Sequence, residues 1–173
     1  MDVSIIILNW NGLALTRDCL AAITQNTAEV DYEVIVFDNG SEEQGVKELV
    51  AATPRARYLR AEINQGFARG NNLAAKQAVG NYVVFLNNDT VPKRGWLSAL
   101  LDCARGQARP GIVGCKLLNP DGSIQYAGGY YEPSVGLFRA AFNGYPATTP
   151  AVAKSRECDV FIACCVLLER ELF

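Results

Sequence analysis

The sequence predicts an α/β fold built on a mostly parallel central sheet with helices on both faces. Three observations point there. Residues 82–86 (YVVFL) form an apolar run with no polar alternation, so both faces of the segment must be covered, as in a central strand of a parallel sheet. Three further strand-like runs, 3–8 (VSIIIL), 32–37 (YEVIVF) and 57–60 (RYLR), each lead into a helix-like segment, and this alternation requires parallel strands joined by crossovers. Each run also stops at polar residues, and open α/β sheets bind their ligands at the carboxyl ends of strands.

The first run ends at Asn9, Trp10, Asn11 and Gly12, and the helix after it places Leu13, Thr16, Leu20 and Ile23 at a helical period. That turn has neither GxGxxG nor GxxxxGK[ST], which speaks against dehydrogenases and P-loop NTPases. The second run ends at Asp38, Asn39, Gly40 and Ser41; Ser41 with Gln44 reads as a capping box that starts a helix through Val46, Leu49 and Val50. A turn of residues tolerant of positive φ explains Asp38-Asn39-Gly40 equally well when taken alone. The third run is less apolar and belongs nearer an edge.

Asn64, Gly66, Arg69, Gly70, Asn71 and Asn72 then lead into a helix expected over residues 73–79, closed by Gly80. Glycines at a helix start leave N–H groups open to an anion, whereas close packing on a strand is the other reading of Gly70. After residues 82–86 the chain reads Asn87, Asn88, Asp89, Thr90. One carboxylate with amide oxygens beside it suits a Mg²⁺ or Mn²⁺ ion shared with substrate phosphates. A plain polar loop is the alternative for this segment by itself. Parallel pairing puts Asn9, Asn11, Asp38, Asn64, Gly66, Asn87, Asn88 and Asp89 on one rim.

Beyond Gly111 the alternation stops. Residues 112–118 and 124–127 read as antiparallel partners around the turn 119–123 (NPDGS), residues 128–154 as a long loop region, and residues 158–168 (CDVFIACCVLL) as a last apolar segment.

At 173 residues and 50% hydrophobic content the chain has one domain's worth of core. A net charge of -2 argues against a general nucleic-acid binder. The absence of histidine excludes His-dependent triads and leaves acid/base work to carboxylates or lysine. The six cysteines show no CxxC spacing and lie in apolar segments, which suggests buried thiols in a reducing, cytosolic compartment. The apolar start at residues 3–8 is far shorter than the roughly 20 residues of a membrane helix, so no transmembrane segment is expected.

Taken together, NWNG, FDNGS, NQGFARGNN, FLNNDT, KLLNPDGSIQYAGG and FIACCVLLERELF resemble family 2 glycosyltransferases, in particular rhamnosyltransferase-like members that build cell-surface polysaccharides. The resemblance covers nearly the whole chain in order. It implies a GT-A (Rossmann-like) fold, truncated here at its C-terminal end, as a single domain whose residues 1–110 bind the nucleotide sugar and whose residues 111–173 begin the acceptor side. It implies inverting transfer from a UDP- or dTDP-sugar to a saccharide or lipid-linked acceptor, in the cytoplasm or at the inner face of the cell membrane.

By matched position, Asp38 would contact the nucleotide base with Asn9 and Asn11 nearby. Asn64, Gly66 and Arg69 would approach the ribose and diphosphate, Asn72 would hold that loop, and Asn88 would complete the nucleotide-sugar contacts. Asn87 to Asp89 match the DxD motif, Asp89 being the metal carboxylate for Mn²⁺ or Mg²⁺. Asn87 departs from that motif, and fewer charged ligands mean weaker cation binding. The family's catalytic base lies beyond the segment matching FIACCVLLERELF, so no catalytic residue is assigned, and Asp159, Glu169 and Glu171 match no base position. The chain as given is therefore expected to bind donor without turnover, and its apolar end to promote self-association. A nucleotide-sugar-binding module without catalysis and a nucleotidyltransferase on a related fold are the competing readings; the latter needs a Gly- and Arg-rich loop where NWNG stands.

Overall fold

The computed structural model describes residues 1–106 and 111–173. Strand and helix alternate as β1 (Val3–Asn9), α1 (Leu13–Asn26), β2 (Tyr32–Asn39), α2 (Val46–Ala51), β3 (Ala56–Ala61), α3 (Phe67–Ala75), β4 (Tyr82–Asn87) and α4 (Trp96–Arg105). The short strands β5 (Val113–Gly114), β6 (Leu117–Leu118), β7 (Ile124–Tyr126), β8 (Gly129–Glu132) and β9 (Leu137–Ala140) follow, and then β10 (Cys165–Glu169). The chain divides into one compact unit of residues 1–113 with 164–173 and another of residues 114–163. The boundary expected at residue 110 falls among residues 107–110, outside the described residues.

In the first unit the sheet order is β3-β2-β1-β4-β10-β5, with β1, β2, β3 and β4 parallel and β10 antiparallel to β4. Its centre is where the sequence is most continuously apolar: Ile5, Ile6 and Ile7 of β1, Ile35 and Val36 of β2, and Val83 and Val84 of β4 have no exposed surface. A fully buried aliphatic side chain contributes roughly 1.5–3 kcal/mol, so these three strands anchor the unit. β3, with no fully buried position, lies at the edge as its composition predicts. α1 packs on β1 through a face that buries Thr16, Cys19, Leu20 and Ile23, matching the predicted helical period.

Four local expectations are corrected. Ser41 does not cap α2, which starts five residues later after Gly45; the Ser41 hydroxyl instead accepts bonds from Asn9 and Asn11. The helix expected over residues 73–79 runs from Phe67 to Ala75, because Gly66 already supplies its N-cap. Residues 128–154 are not all loop: β8 and β9 form a hairpin whose second strand is exposed at every position, so it carries no alternating apolar signal. Of the six cysteines only Cys19 and Cys165 are buried, the other four being half-buried. Among the described residues no helix is long and apolar enough to cross a membrane.

The second unit holds two antiparallel pairs, β6 with β7 and β8 with β9. The NPDGS turn closes through Gly122 N–H to Asn119 O at 2.9 Å and through Asp121 Oδ1, which accepts from both the amide and the hydroxyl of Ser123. Ile124 and Tyr126 are buried, and the Tyr126 hydroxyl donates to Val160 O at 2.6 Å.

Candidate functional site

Parallel pairing brings the polar strand ends to one rim. Asn9 stands opposite Asp38 in the β1–β2 register, and Leu8 opposite Asn87 in the β1–β4 register. Between the ends of β1 and β4 and the start of α3 lies a cleft of about 160 Å³, lined by Leu8, Phe67, Asn71, Phe85, Leu86, Asn87, Asn88 and Asp89. At the mouth of α3, Gly66 has φ +76°, a conformation that glycine adopts without strain, and open space where a side chain would stand. The first-turn N–H groups of this nine-residue helix have no helical acceptor, and they suit an anion.

The loop ahead of α3 is built by asparagines. Asn64 Oδ1 accepts from Gly66 N–H at 2.7 Å and from Asn39 Nδ2 at 3.0 Å, while Asn39 Oδ1 accepts from Gln65 N–H at 2.9 Å. Arg69 is exposed and makes no hydrogen bond among the described residues, which leaves its charge available. Asn72 does not hold this loop: it is exposed and lines a separate cavity of about 320 Å³ with Ala75, Lys76, Ala78, Val83, Arg170 and Phe173. Its neighbour Asn71 is buried, donates to Phe67 O at 2.9 Å and lines the cleft. Asn39 and Asn71 were the residues missed. Each sits beside a residue singled out from the sequence, and only side-chain phase separates them, set by the pleat of β2 for Asn39 and by the start of α3 for Asn71.

Asp38 has no exposed surface. Its Oδ2 accepts from the Tyr58 hydroxyl at 2.8 Å and from the Arg60 guanidinium; its Oδ1 accepts from Ser41 N–H at 3.2 Å and from Asn9 Nδ2 at 3.4 Å. Burial by itself would raise its pKa, but the bonds from Ser41 and Tyr58 and the charge of Arg60 outweigh it and hold the carboxyl below its ordinary value. Asn9 is equally buried, with Oδ1 accepting from the Thr16 hydroxyl at 2.8 Å. Asn11 has φ +49°, and its Oδ1 accepts from Glu42 N–H at 2.9 Å and Glu43 N–H at 3.3 Å. Buried Asp38 and Asn9 therefore shape the rim from within, and exposed Asn11 braces it at the surface.

The Asn87-Asn88-Asp89 corner is more open. Asn87 and Asn88 are half-buried and Asp89 is exposed. Asn87 O accepts from the Thr90 hydroxyl at 2.7 Å, which fixes the turn, and Asn88 Nδ2 donates to the Thr16 hydroxyl at 3.1 Å. Among the described residues no group of three Cys, Asp or Glu side chains is placed to hold a metal ion. Among the described residues Asp89 has no competing hydrogen bond, so this corner fits a cation held by one carboxylate and completed by ligand phosphates, not a site made by protein alone.

Glu169 is not on this rim. Antiparallel β10 sets it opposite Tyr82, at the other end of β4 from Asn87, roughly 16 Å away at 3.3 Å per residue. Glu171 follows in the terminal turn of 3₁₀ helix, and Asp159, in the second unit, accepts from Tyr131 N–H at 2.9 Å.

The family model for glycosyl transferase family 2 matches residues 4–173. The chain belongs to this family. A relative, O-antigen biosynthesis protein RfbC of Myxococcus xanthus, is 32% identical over 99% of the chain and 14% of its own length. The uncharacterized protein y4gI of Sinorhizobium fredii is also 32% identical, over 99% of the chain and 20% of its own length. The chain thus spans a fifth or less of these relatives. Among solved structures, the mannosyltransferase PcManGT of Pyrobaculum calidifontis, in complex with GDP-Man and Mn²⁺, matches at 26% identity and TM-score 0.59, covering 69% of this chain and 36% of that one. S. aureus TarS 1-349, in complex with UDP-GlcNAc, matches at 24% identity and TM-score 0.54, covering 61% and 32%, a likeness of fold alone. The family 2 chain has the GT-A fold, a mixed α/β structure with a mostly parallel central sheet.

Proposed function

We propose that this family 2 chain binds a nucleoside diphosphate sugar and is the donor-binding part of an inverting glycosyltransferase. The donor is a UDP- or dTDP-sugar, and the acceptor a saccharide or lipid-linked saccharide of cell-surface polysaccharide synthesis. The observation that carries this reading is the cleft at the ends of β1 and β4, which the exposed Asp89 and the first residue of α3, Phe67, both line. An acidic chain has few ways to hold a diphosphate, and here one is supplied by backbone N–H groups and another by a shared cation. Membership of the family, the 32% identity to an O-antigen biosynthesis protein and the likeness to a mannosyltransferase with GDP-Man and Mn²⁺ support it.

In this reading Asp89 and Asn87 hold Mn²⁺ or Mg²⁺, and Asn64, Gly66 and Arg69 approach the diphosphate. Asn88 contacts the donor, while Asp38, Asn9 and Asn11 frame the base end. The cation, when bound, neutralises charge on the departing nucleoside diphosphate. A second reading, donor binding without turnover, is favoured by the position of Glu169, which the sheet register keeps away from the cleft.

Calorimetric titration with UDP, dTDP and GDP, each in Mn²⁺, Mg²⁺ or excess EDTA, tests the proposal. Binding of UDP or dTDP in the presence of cation, lost in EDTA, is expected. Equal binding in EDTA, or no binding by any nucleoside diphosphate, overturns it. Release of nucleoside diphosphate from UDP- or dTDP-sugars in the presence of saccharide acceptors separates transfer from binding alone.

A further inference from the structure

Thr16 is a fully buried polar residue of α1 with no part in the reading above. Its hydroxyl joins two groups that are far apart in sequence: it donates to Asn9 Oδ1 at 2.8 Å and accepts from Asn88 Nδ2 at 3.1 Å. The direction of these bonds is determined from the far end. Asp38, ionised and taking Arg60 and Tyr58 on Oδ2, can only accept. The nitrogen of the Asn9 amide must therefore face Asp38 and the Ser41 hydroxyl, which puts its oxygen against Thr16. Thr16 has one proton, spent on that oxygen, so it presents a lone pair to Asn88 and takes up the Asn88 nitrogen. What remains on Asn88 is its carbonyl oxygen, which has no hydrogen bond among the described residues, on a side chain that lines the cleft.

Gly12 adds an independent constraint. A Cβ at this position would stand 2.7 Å from Asn88 Nδ2, pushing that amide from its place against Thr16, and at an ordinary 3.5 Å from Asn9 Oδ1.

We propose that Thr16 is a positioning residue for the donor site: with Asn9 and Asp38 it forms a one-way hydrogen-bond relay that holds Asn88 with its oxygen available to an electropositive group in the cleft. That group is the shared cation or a hydroxyl of the bound nucleotide sugar, both of which seek an acceptor oxygen. The relay rests on the donor-site reading, and it links a buried carboxylate on β2 to the polar corner after β4.

Thr16→Val keeps the shape and removes both donor and acceptor; Thr16→Ser keeps both; Gly12→Ala displaces the Asn88 amide and leaves Thr16 intact. Outer-sphere partners of metal ligands typically alter affinity roughly 10- to 100-fold. Calorimetry with UDP and dTDP is expected to show a loss on that scale for Thr16→Val and Gly12→Ala, with Thr16→Ser close to the unsubstituted chain. A loss that saturating Mn²⁺ restores identifies the cation as the group at Asn88, and a loss that persists at saturating Mn²⁺ identifies a ligand hydroxyl. In the unliganded chain, the Asn88 side-chain NH₂ signals should lose their exchange protection in Thr16→Val and keep it in Thr16→Ser. Unchanged affinity in Thr16→Val overturns the proposal; should that variant fail to fold, unchanged affinity in Gly12→Ala does so. Absence of nucleoside diphosphate binding by the unsubstituted chain overturns the donor-site reading and the relay's function with it, whereas normal binding by all four proteins overturns the relay alone.

Discussion

Arg60 stands directly opposite Asp38 in the β2–β3 register, and its guanidinium donates to a carboxylate that has no exposed surface. The arrangement recurs near the other end of the same strands, where Arg57 Nε donates to the buried Glu33 at 2.7 Å. Glu33 also accepts from the Ser4 hydroxyl at 2.6 Å and from Val79 N–H at 3.2 Å. β2 thus carries a buried carboxylate towards each end, each met by an arginine from the edge strand. β3 lacks fully buried side chains, so its attachment depends on these bonds as well as on the backbone ladder. Both arginines are about two-fifths exposed, at 43%, and solvent weakens the charge term; the hydrogen bonds to buried carboxylates do most of the holding.

Asp38→Asn replaces an acceptor with a donor amid four donors. Hydrogen bonds to charged groups contribute roughly 1.5–3 kcal/mol, and a loss of about 2 kcal/mol in urea unfolding is expected. Arg60→Met should cost a similar amount by leaving Asp38 without its charge partner. The double variant should lose less than the sum, since each change disables the same bond. Additive losses would show that the pair is not energetically coupled.

The folded-state pKa values of Asp38 and Glu33 are both lowered. Burial opposes this in each case, but the bonds from Ser41 and Tyr58 to Asp38, and from Arg57 and Ser4 to Glu33, prevail. A lowered carboxyl pKa gives stability that is fully present above the unfolded value, near 4, and is lost as pH falls through the folded value. Urea midpoints should therefore be flat from about pH 7 to 5 and fall below about pH 4. Asp38→Asn, though less stable at pH 7, should show a shallower fall, measured as the change in midpoint between pH 5 and 3. An acid slope equal to that of the unsubstituted chain would remove Asp38 as a contributor.

The rim was legible in the sequence because strand direction needs only periodicity. Unbroken apolar runs such as residues 82–86 demand covered faces, alternation with helices demands parallel pairing, and parallel pairing collects Asn9, Asp38, Asn64 and Asn87 at one edge. Side-chain phase within the turns was not legible. Whether Asn71 or Asn72 faces the cleft depends on where α3 starts, and that depends on Gly66 at φ +76°, which no hydrophobic pattern reports. Ser41 with Gln44 satisfied a local capping rule, yet the hydroxyl was claimed by Asn9 and Asn11 from another strand end. The β8–β9 hairpin was missed for the opposite reason: with Leu137, Phe138, Arg139 and Ala140 all exposed, its second strand buries no face that could impose a period.

Cys19 gives a chemical test of the α1–β4 packing. Burial pushes its thiol up to about 11, and the sulfur lies 3.7 Å from Thr90 Oγ1, directly behind the Asn87-Asn88-Asp89 corner. At pH 8 it should be protonated and inert to a bulky maleimide, and Cys165, also buried, should likewise be protected. Mass spectrometry of the native chain is expected to find modification confined to the half-buried cysteines. Rapid labelling of Cys19 would contradict the packing of α1. Nucleotide with Mn²⁺ should slow labelling of Cys19 further, because ligand contact stabilises the corner that covers it.

Melting in the presence of nucleotide separates the two carboxylates of the rim. Asp89 is exposed and bears no hydrogen bond among the described residues, so Asp89→Ala should leave the unliganded melting temperature nearly unchanged, as surface substitutions do within about 0.5 kcal/mol. Asp38 is buried under four donors, so its loss should lower that temperature before any ligand is added. With UDP or dTDP at about one hundred times its dissociation constant, linkage stabilises the unsubstituted chain by about 2.7 kcal/mol. For a unit of this size that corresponds to a rise of roughly 5 to 10 °C in Mn²⁺. The rise should vanish in excess EDTA if the cation bridges Asp89 to the diphosphate, and it should vanish for Asp89→Ala even in Mn²⁺. For Asp38→Ala a smaller rise should persist in Mn²⁺ from a lower starting temperature, because Asp89, the proposed cation ligand, is intact while the rim behind it has loosened. A full rise for Asp89→Ala in Mn²⁺ would dissociate the cation from this corner and return Asn87, Asn88 and Asp89 to the status of a polar turn.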